Sequence, residues 1–92
     1  MRTIHKYEVN TGQEPQAIEI PTEHTFLSVE YIIPKRSIFL WVEVPADLTI
    51  DKETCKLKVF RSGDGIPDNY QYLGTCIDQY LPEAYHLYKI EE

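Results

Sequence analysis

The chain reads as an all-β, mainly antiparallel domain: a small sandwich or barrel of about seven strands, with at most one or two short helical turns. Three observations predict this. Short runs with period-two alternation recur along the whole chain. Clusters of Pro, Gly and Asn fall between them, where they punctuate strands. Aromatic residues make up 12% of the 92 residues, with seven Tyr against three Phe and one Trp. A ring with a wet hydroxyl suits a half-buried sheet face or an interface, whereas core packing alone would favour Phe.

The elements follow in order. TIHKYEV (3–9) ends at Asn10-Thr11-Gly12, with Pro15 beyond. QAIEI (16–20) alternates Ile18 and Ile20 with Glu19 and stops at Pro21. TFLSVEYII (25–33) places Leu27, Val29, Tyr31 and Ile33 on one face, with Ser28 and Glu30 on the other. Pro34-Lys35-Arg36 turns the chain into SIFLWVEV (37–44), and the two runs form a hairpin. This fourth strand is apolar on both faces, Ile38, Leu40, Val42 and Val44 against Phe39 and Trp41, the pattern of a central strand covered on both sides. CKLKVFR (55–61), YQYLGTCI (70–77) and YHLYKI (85–90) complete the set, and Gly74 marks a bulge or a close backbone approach. The helical candidates, ADLTIDKET (46–54) and DQYLPEAY (78–85), are one turn at most. Thr49 and Ile50 are poor helix formers, and Pro82 interrupts the second.

Length and charge narrow the function. Residues 1–92 are expected to form one β-rich domain that buries roughly two-thirds of its unfolded surface. The formal net charge of −6 argues against direct nucleic-acid binding, because Lys56, Lys58 and Arg61 are too few to displace counterions along a duplex. The 15 acidic residues are spread from Glu8 to Glu92 without a dense face. MRTIHKYEV opens as strand rather than as an apolar leader, and no run reaches the ~20 apolar residues of a membrane span. The expectation is a cytoplasmic, soluble protein with no membrane partner, in which Cys55 and Cys76 are free and buried.

Chemistry-bearing motifs are sparse. RSGDGIPDNY (61–70) lacks the Lys and the following helix of a phosphate loop. It also lacks the ligand spacing of a calcium loop. It reads as a wide hairpin loop in which Gly63 and Gly65 supply positive φ and Pro67 stiffens the turn. Its alternative is binding through backbone N–H groups. His5, His24 and His86 have no local spacing to a nucleophile. Pairing of the terminal strands would carry His5 and His86 toward Cys55 or Cys76, and Cys76 with His86 is the enzymatic constellation that this allows. No Cys-x2-Cys or His-x3-His pair suggests a metal, and no cofactor is expected.

The aromatic residues and their neighbours form the candidate binding set: Phe39, Trp41, Lys58, Phe60, Arg61, Asp64, Tyr70 and Tyr72. Phe39 and Trp41 lie opposite the aliphatic face of strand four, Phe60 faces away from Leu57 and Val59, and Tyr70 and Tyr72 follow the loop. The set is either a second apolar layer covered by the chain itself, an interface, or a ligand pocket. For an anionic ligand, Lys58 and Arg61 would supply charge and Trp41 and Tyr70 would supply stacking. The expectation treats the loop and the Trp41 face as one surface.

The order of IHKYEV, IEIP, LSVEY, LWVEV, KVFRSG, YLGT and HLYKIEE resembles a family of short, largely uncharacterised proteins of bacteriophages and bacterial mobile elements. That family usually shows a Gly-Thr-Gly-His run where this chain has Arg61-Ser62-Gly63-Asp64, so a role for that histidine does not carry over. The resemblance implies a phage-type accessory setting and no catalytic motif. The resulting expectation is a small non-enzymatic binding protein in the host cytoplasm that inhibits or sequesters a host-defence component. Its target would be a host or phage protein, or a small anionic signalling molecule. The alternative is an assembly module that forms homo-oligomers through strand edges and aromatic faces.

Overall fold

A computed structural model describes residues 1–47 and 49–91. Seven strands follow one another: β1 (Arg2–Val9), β2 (Gln16–Pro21), β3 (Thr25–Ile32), β4 (Ser37–Pro45), β5 (Lys52–Arg61), β6 (Gln71–Asp78) and β7 (Glu83–Lys89). They form two antiparallel sheets, a three-stranded one in the order β1-β4-β3 and a four-stranded one in the order β2-β5-β7-β6. The all-β prediction holds in the form of a sandwich, 41 × 31 × 17 Å, whose short dimension is that of two layers.

One core lies between the sheets and draws on every strand. Val9, Ile20, Ile38, Leu40, Val42, Leu57, Val59 and Leu87 are wholly buried, with Val29, Val44, Cys55, Cys76 and Tyr85 beside them. Strand four is central in its sheet, but the second sheet covers only its Ile38, Leu40, Val42 and Val44 face, so the expected cover on both sides is corrected to cover on one. Cys55 and Cys76 are free and buried, on inward positions of different strands.

The two helical candidates stay within the expected limit of one turn. Among the described residues of 46–54 there is no helix: β5 already begins at Lys52, and Asp47 accepts from the Thr49 amide (2.9 Å) and hydroxyl (2.7 Å). Leu48, within that run, lies outside the described residues. The 78–85 run divides into the end of β6, a turn, and the start of β7. Among the described residues the single helical turn is a 3-10 turn at Ile33–Lys35, closed by Arg36 in the left-handed region at φ 51°.

In β3 a bulge between Phe26 and Ser28 shifts the alternation by one. Val29 remains buried and Phe26 packs on the core, but Leu27 is exposed, and Ile33 falls in the 3-10 turn and is exposed as well. Gly74 combines both features that its presence suggested. It follows a bulge in β6, and a β-carbon there would sit 2.8 Å from Cγ2 and 3.0 Å from Cβ of Val29. The edge strands β3 and β6 of the two sheets therefore meet closely at this point.

The largest departure is the 61–70 loop, which does not close a hairpin. β7 lies between β5 and β6, pairing Leu57 with Lys89 and Arg61 with Tyr85 on one side and Gln71 with Lys89 on the other. The loop therefore runs back along the length of β7. Since the inner face is filled by core, it crosses on the outer face. Of its two glycines only Gly63 has positive φ, at 94°. The terminal strands do not pair either: β1 is in the three-stranded sheet and β7 in the four-stranded one, which separates His5 from His86.

Candidate binding face

Alternation in β5, β7 and β6 sends Lys58, Phe60, His86, Tyr88, Tyr72 and Thr75 to the outer face of the four-stranded sheet, away from Leu57, Val59 and Leu87. Register then assembles them. Lys58 stands across from Tyr88, which stands across from Tyr72, while Phe60 stands across from His86 and His86 across from Thr75. The rings form a connected cluster. Phe60 meets Tyr88 edge-on at 5.4 Å and Tyr70 at 6.3 Å, and Tyr88 meets Tyr72 at 5.3 Å. The Lys58 ammonium lies 5.1 Å above the Phe60 ring. Phe60 is thereby only 3% exposed although it points away from the core, whereas Tyr72 is 54% exposed. Phe60 is the floor of this face and Tyr72 its open edge.

A chain of hydrogen bonds runs beside the rings. Ser62 Oγ is 3.0 Å from Nε2 of His86, Nδ1 of His86 is 2.9 Å from Oγ1 of Thr75, and Thr75 Oγ1 is 2.6 Å from the Tyr72 hydroxyl. The imidazole is thus held at both nitrogens and ties the crossing loop to β6 and β7. The groups that orient it are neutral hydroxyls. An imidazolium formed there would lack the carboxylate that stabilises it in a nucleophile–base–acid triad.

The loop is tied down by bonds within itself and to neighbouring segments. Asp64 accepts from the Arg61 amide (2.8 Å) and from Gln13 Nε2 (2.8 Å), and its own amide donates to the Arg61 carbonyl (3.1 Å). Tyr70 N–H donates to the Pro67 carbonyl (3.2 Å), and Asn69 Nδ2 to the Glu91 carbonyl (3.0 Å). Between loop and sheet lies a shallow hollow of about 250 Å³ lined by Gln13, Lys58, Phe60, Asp64 and Gly65.

Five of the eight candidate residues gather on this side of the molecule. Lys58, Phe60, Asp64, Tyr70 and Tyr72 come together around the loop. Arg61 turns away from the outer face. Its guanidinium lies 4.6 Å from the inward Tyr85 ring, donates to the Thr11 carbonyl (2.9 Å) and faces Glu83 at 3.5 Å. These partners engage both terminal nitrogens of the cation that was expected to meet an anion and hold it off the outer face, while its buried Nε has no hydrogen-bond partner among the described residues.

Phe39 and Trp41 lie on the outer face of the other sheet, 6.0 Å apart, with the Lys6 ammonium 5.4 Å above Phe39. Phe39 is buried there by its own neighbours and Trp41 is half-buried. The expected single surface of loop and Trp41 is thus two surfaces on opposite sides of the sandwich. Tyr88, Thr75 and Ser62 join this face without having been candidates, and His86, considered only with Cys76, belongs to it as well. The alternation of YHLYKI, with His86 and Tyr88 on one face and Leu87 on the other, was the available signal for Tyr88 and His86.

The Cys76–His86 constellation is also corrected, since Cys76 faces the core and His86 faces out. Burial pushes the Cys76 thiol up to about 11, which suppresses the nucleophilic thiolate at neutral pH. Among the described residues no group of three or more His, Cys, Asp or Glu side chains is placed to hold a metal ion, and no helix is long and apolar enough to cross a membrane.

A family model described as a domain of unknown function (DUF7352) matches residues 1–92, and the chain belongs to that family. No curated protein and no solved structure matches the chain.

Proposed function

For this member of the DUF7352 family, we propose a binding protein that acts without turnover and captures a protein partner on the outer face of the four-stranded sheet. One observation carries the reading: Tyr72 stands 54% exposed on a platform of rings, Tyr88, Phe60 and Tyr70, that the chain has already packed. Rings fixed before contact lose little freedom on binding, and tyrosines with polar tips are the side chains that interfaces favour. Lys58 and the His86–Thr75 hydrogen-bond chain supply polar groups at the rim.

Engagement of Arg61 with Thr11, Glu83 and Tyr85 turns the expected cation away from this face, which favours a protein surface over a small anionic signalling molecule. In the mobile-element setting that the resemblance implies, the partner is a component of host defence.

The test is capture from host lysate with tagged wild-type, Tyr72→Ala and Trp41→Ala proteins, followed by titration of the captured partner. Loss of Tyr72 is expected to weaken the complex by roughly tenfold or more, the range of an aromatic hot spot, while Trp41→Ala retains it. Retention by Tyr72→Ala with loss on Trp41→Ala would move the site to the opposite sheet.

A further inference from the structure

The four sheet edges differ in how they are protected. β2 is six residues long and ends in Pro21, while β3 and β6 each carry a bulge and lie against one another. Bulges, short length, proline, covering elements and charged side chains are the usual devices that stop an edge from pairing with another chain. β1 carries none of the first four. It runs for eight residues without Pro, Gly or bulge, pairs only with β4 among the described strands, and is exposed from Arg2 to Lys6. What it carries instead is an ordered set of charges, Arg2, Lys6 and Glu8, all on its outer face with Ile4.

We infer that β1 pairs antiparallel with β1 of a second copy, joining two three-stranded sheets into one of six strands, in the register that centres on His5. The register follows from side-chain direction and charge. Opposed residues of an antiparallel pair point to the same face, so a two-fold axis that keeps the outer faces together must oppose even-numbered residues with even and odd with odd. Centring on Ile4 would oppose Arg2 with Lys6, and centring on Lys6 would oppose two lysines, both repulsive. Centring on Tyr7 opposes Lys6 with Glu8 but pairs only residues 5–9. Centring on His5 pairs residues 2–8, opposes Arg2 with Glu8 twice and Ile4 with Lys6 twice, and places Thr3 against Tyr7.

Opposite charges directly across a strand pair stabilise it, and like charges do the reverse. In the single chain, Arg2 reaches Glu43 at 2.8 Å while remaining 74% exposed, so its guanidinium retains donors for a second carboxylate. This inference stands on β1 alone and does not depend on the proposed partner face. The axis would leave both tyrosine faces free on the same side, which makes the dimer a bivalent form of that binder.

A charge-swap experiment tests both pairing and register by analytical ultracentrifugation. In Arg2→Glu the dimer would oppose Glu with Glu twice, and in Glu8→Arg it would oppose Arg with Arg twice. Each variant alone is expected to dimerise roughly tenfold or more weakly than wild type, with an unchanged far-UV spectrum. An equimolar mixture of the two restores both complementary pairs and is expected to recover dimers. A wild-type protein that stays monomeric as concentration rises would overturn the inference. So would single variants that associate as well as wild type, or a mixture that stays monomeric.

Discussion

Gly74→Ala tests how tightly the two sheets are seamed. The added methyl would lie 2.8 Å from Cγ2 and 3.0 Å from Cβ of Val29, against a normal carbon–carbon separation of about 3.5–4.0 Å. Turning the Val29 side chain moves Cγ2 but leaves Cβ in place, so a rotamer change does not remove the clash. Val29 is itself held by its pairing with Leu40 in β4, and relief requires β3 and β6 to part. Gly74 has no positive φ, so backbone strain adds nothing. Loss of glycine's unfolded-state freedom even favours Ala by about 0.4–1 kcal/mol.

Overpacking of a filled core costs about 1–3 kcal/mol, which against that gain leaves a net loss of roughly 0–2.6 kcal/mol. For a domain of this size that lowers Tm by roughly 4–8 °C per kcal/mol. The assay is urea unfolding of Gly74→Ala, Val29→Ala and the double variant. Because Val29→Ala removes the atoms that the new methyl meets, the double variant is expected to be more stable than the sum of the two losses by about 0.5 kcal/mol or more. Strict additivity in the double variant would refute the close seam.

Phe60→Ala is expected to cost about 3–5 kcal/mol in chemical unfolding, as a core residue would, although Phe60 lies outside the sandwich; a loss under about 1 kcal/mol would mean that the platform is not packed. Stability is also expected to fall in alkali. Burial raises Cys55, Cys76, Tyr7 and Tyr31, and the Asp78 carboxylate adds to the rise at Tyr31. Raised values favour the protonated forms in the folded chain. Their contribution is therefore complete below the ordinary thiol value of 9.0 and is lost as pH climbs through the Cys76 value of about 11. The urea midpoint is expected to drop between these limits and to drop less in Cys76→Ala; a flat profile would contradict burial as the cause.

The sequence alone determined the strands and the inward face of most of them. In β4 and β5 the period-two alternation is unbroken, and Ile38, Leu40, Val42, Leu57 and Val59 are buried as their spacing requires. The β3–β4 hairpin was legible because a short turn leaves adjacent strands little choice of partner. The alternation failed at Leu27, where a bulge inserts one residue and moves the following side chains to the opposite phase.

Only the tertiary structure decided which strands became neighbours across long connections. β7 entered between β5 and β6 and made the 61–70 loop a crossover rather than a hairpin. That insertion brought Tyr88 and His86 to Phe60, Tyr72 and Ser62, and the division into two sheets sent Trp41 to the opposite side. Arg61 shows the same limit at one residue, since its position beside Tyr85, Thr11 and Glu83 depends on three distant segments. Alternation reports which face of its own strand a residue occupies, because that follows from local backbone geometry. Which strand lies alongside is set by the joint packing of the whole core, and no local pattern encodes it.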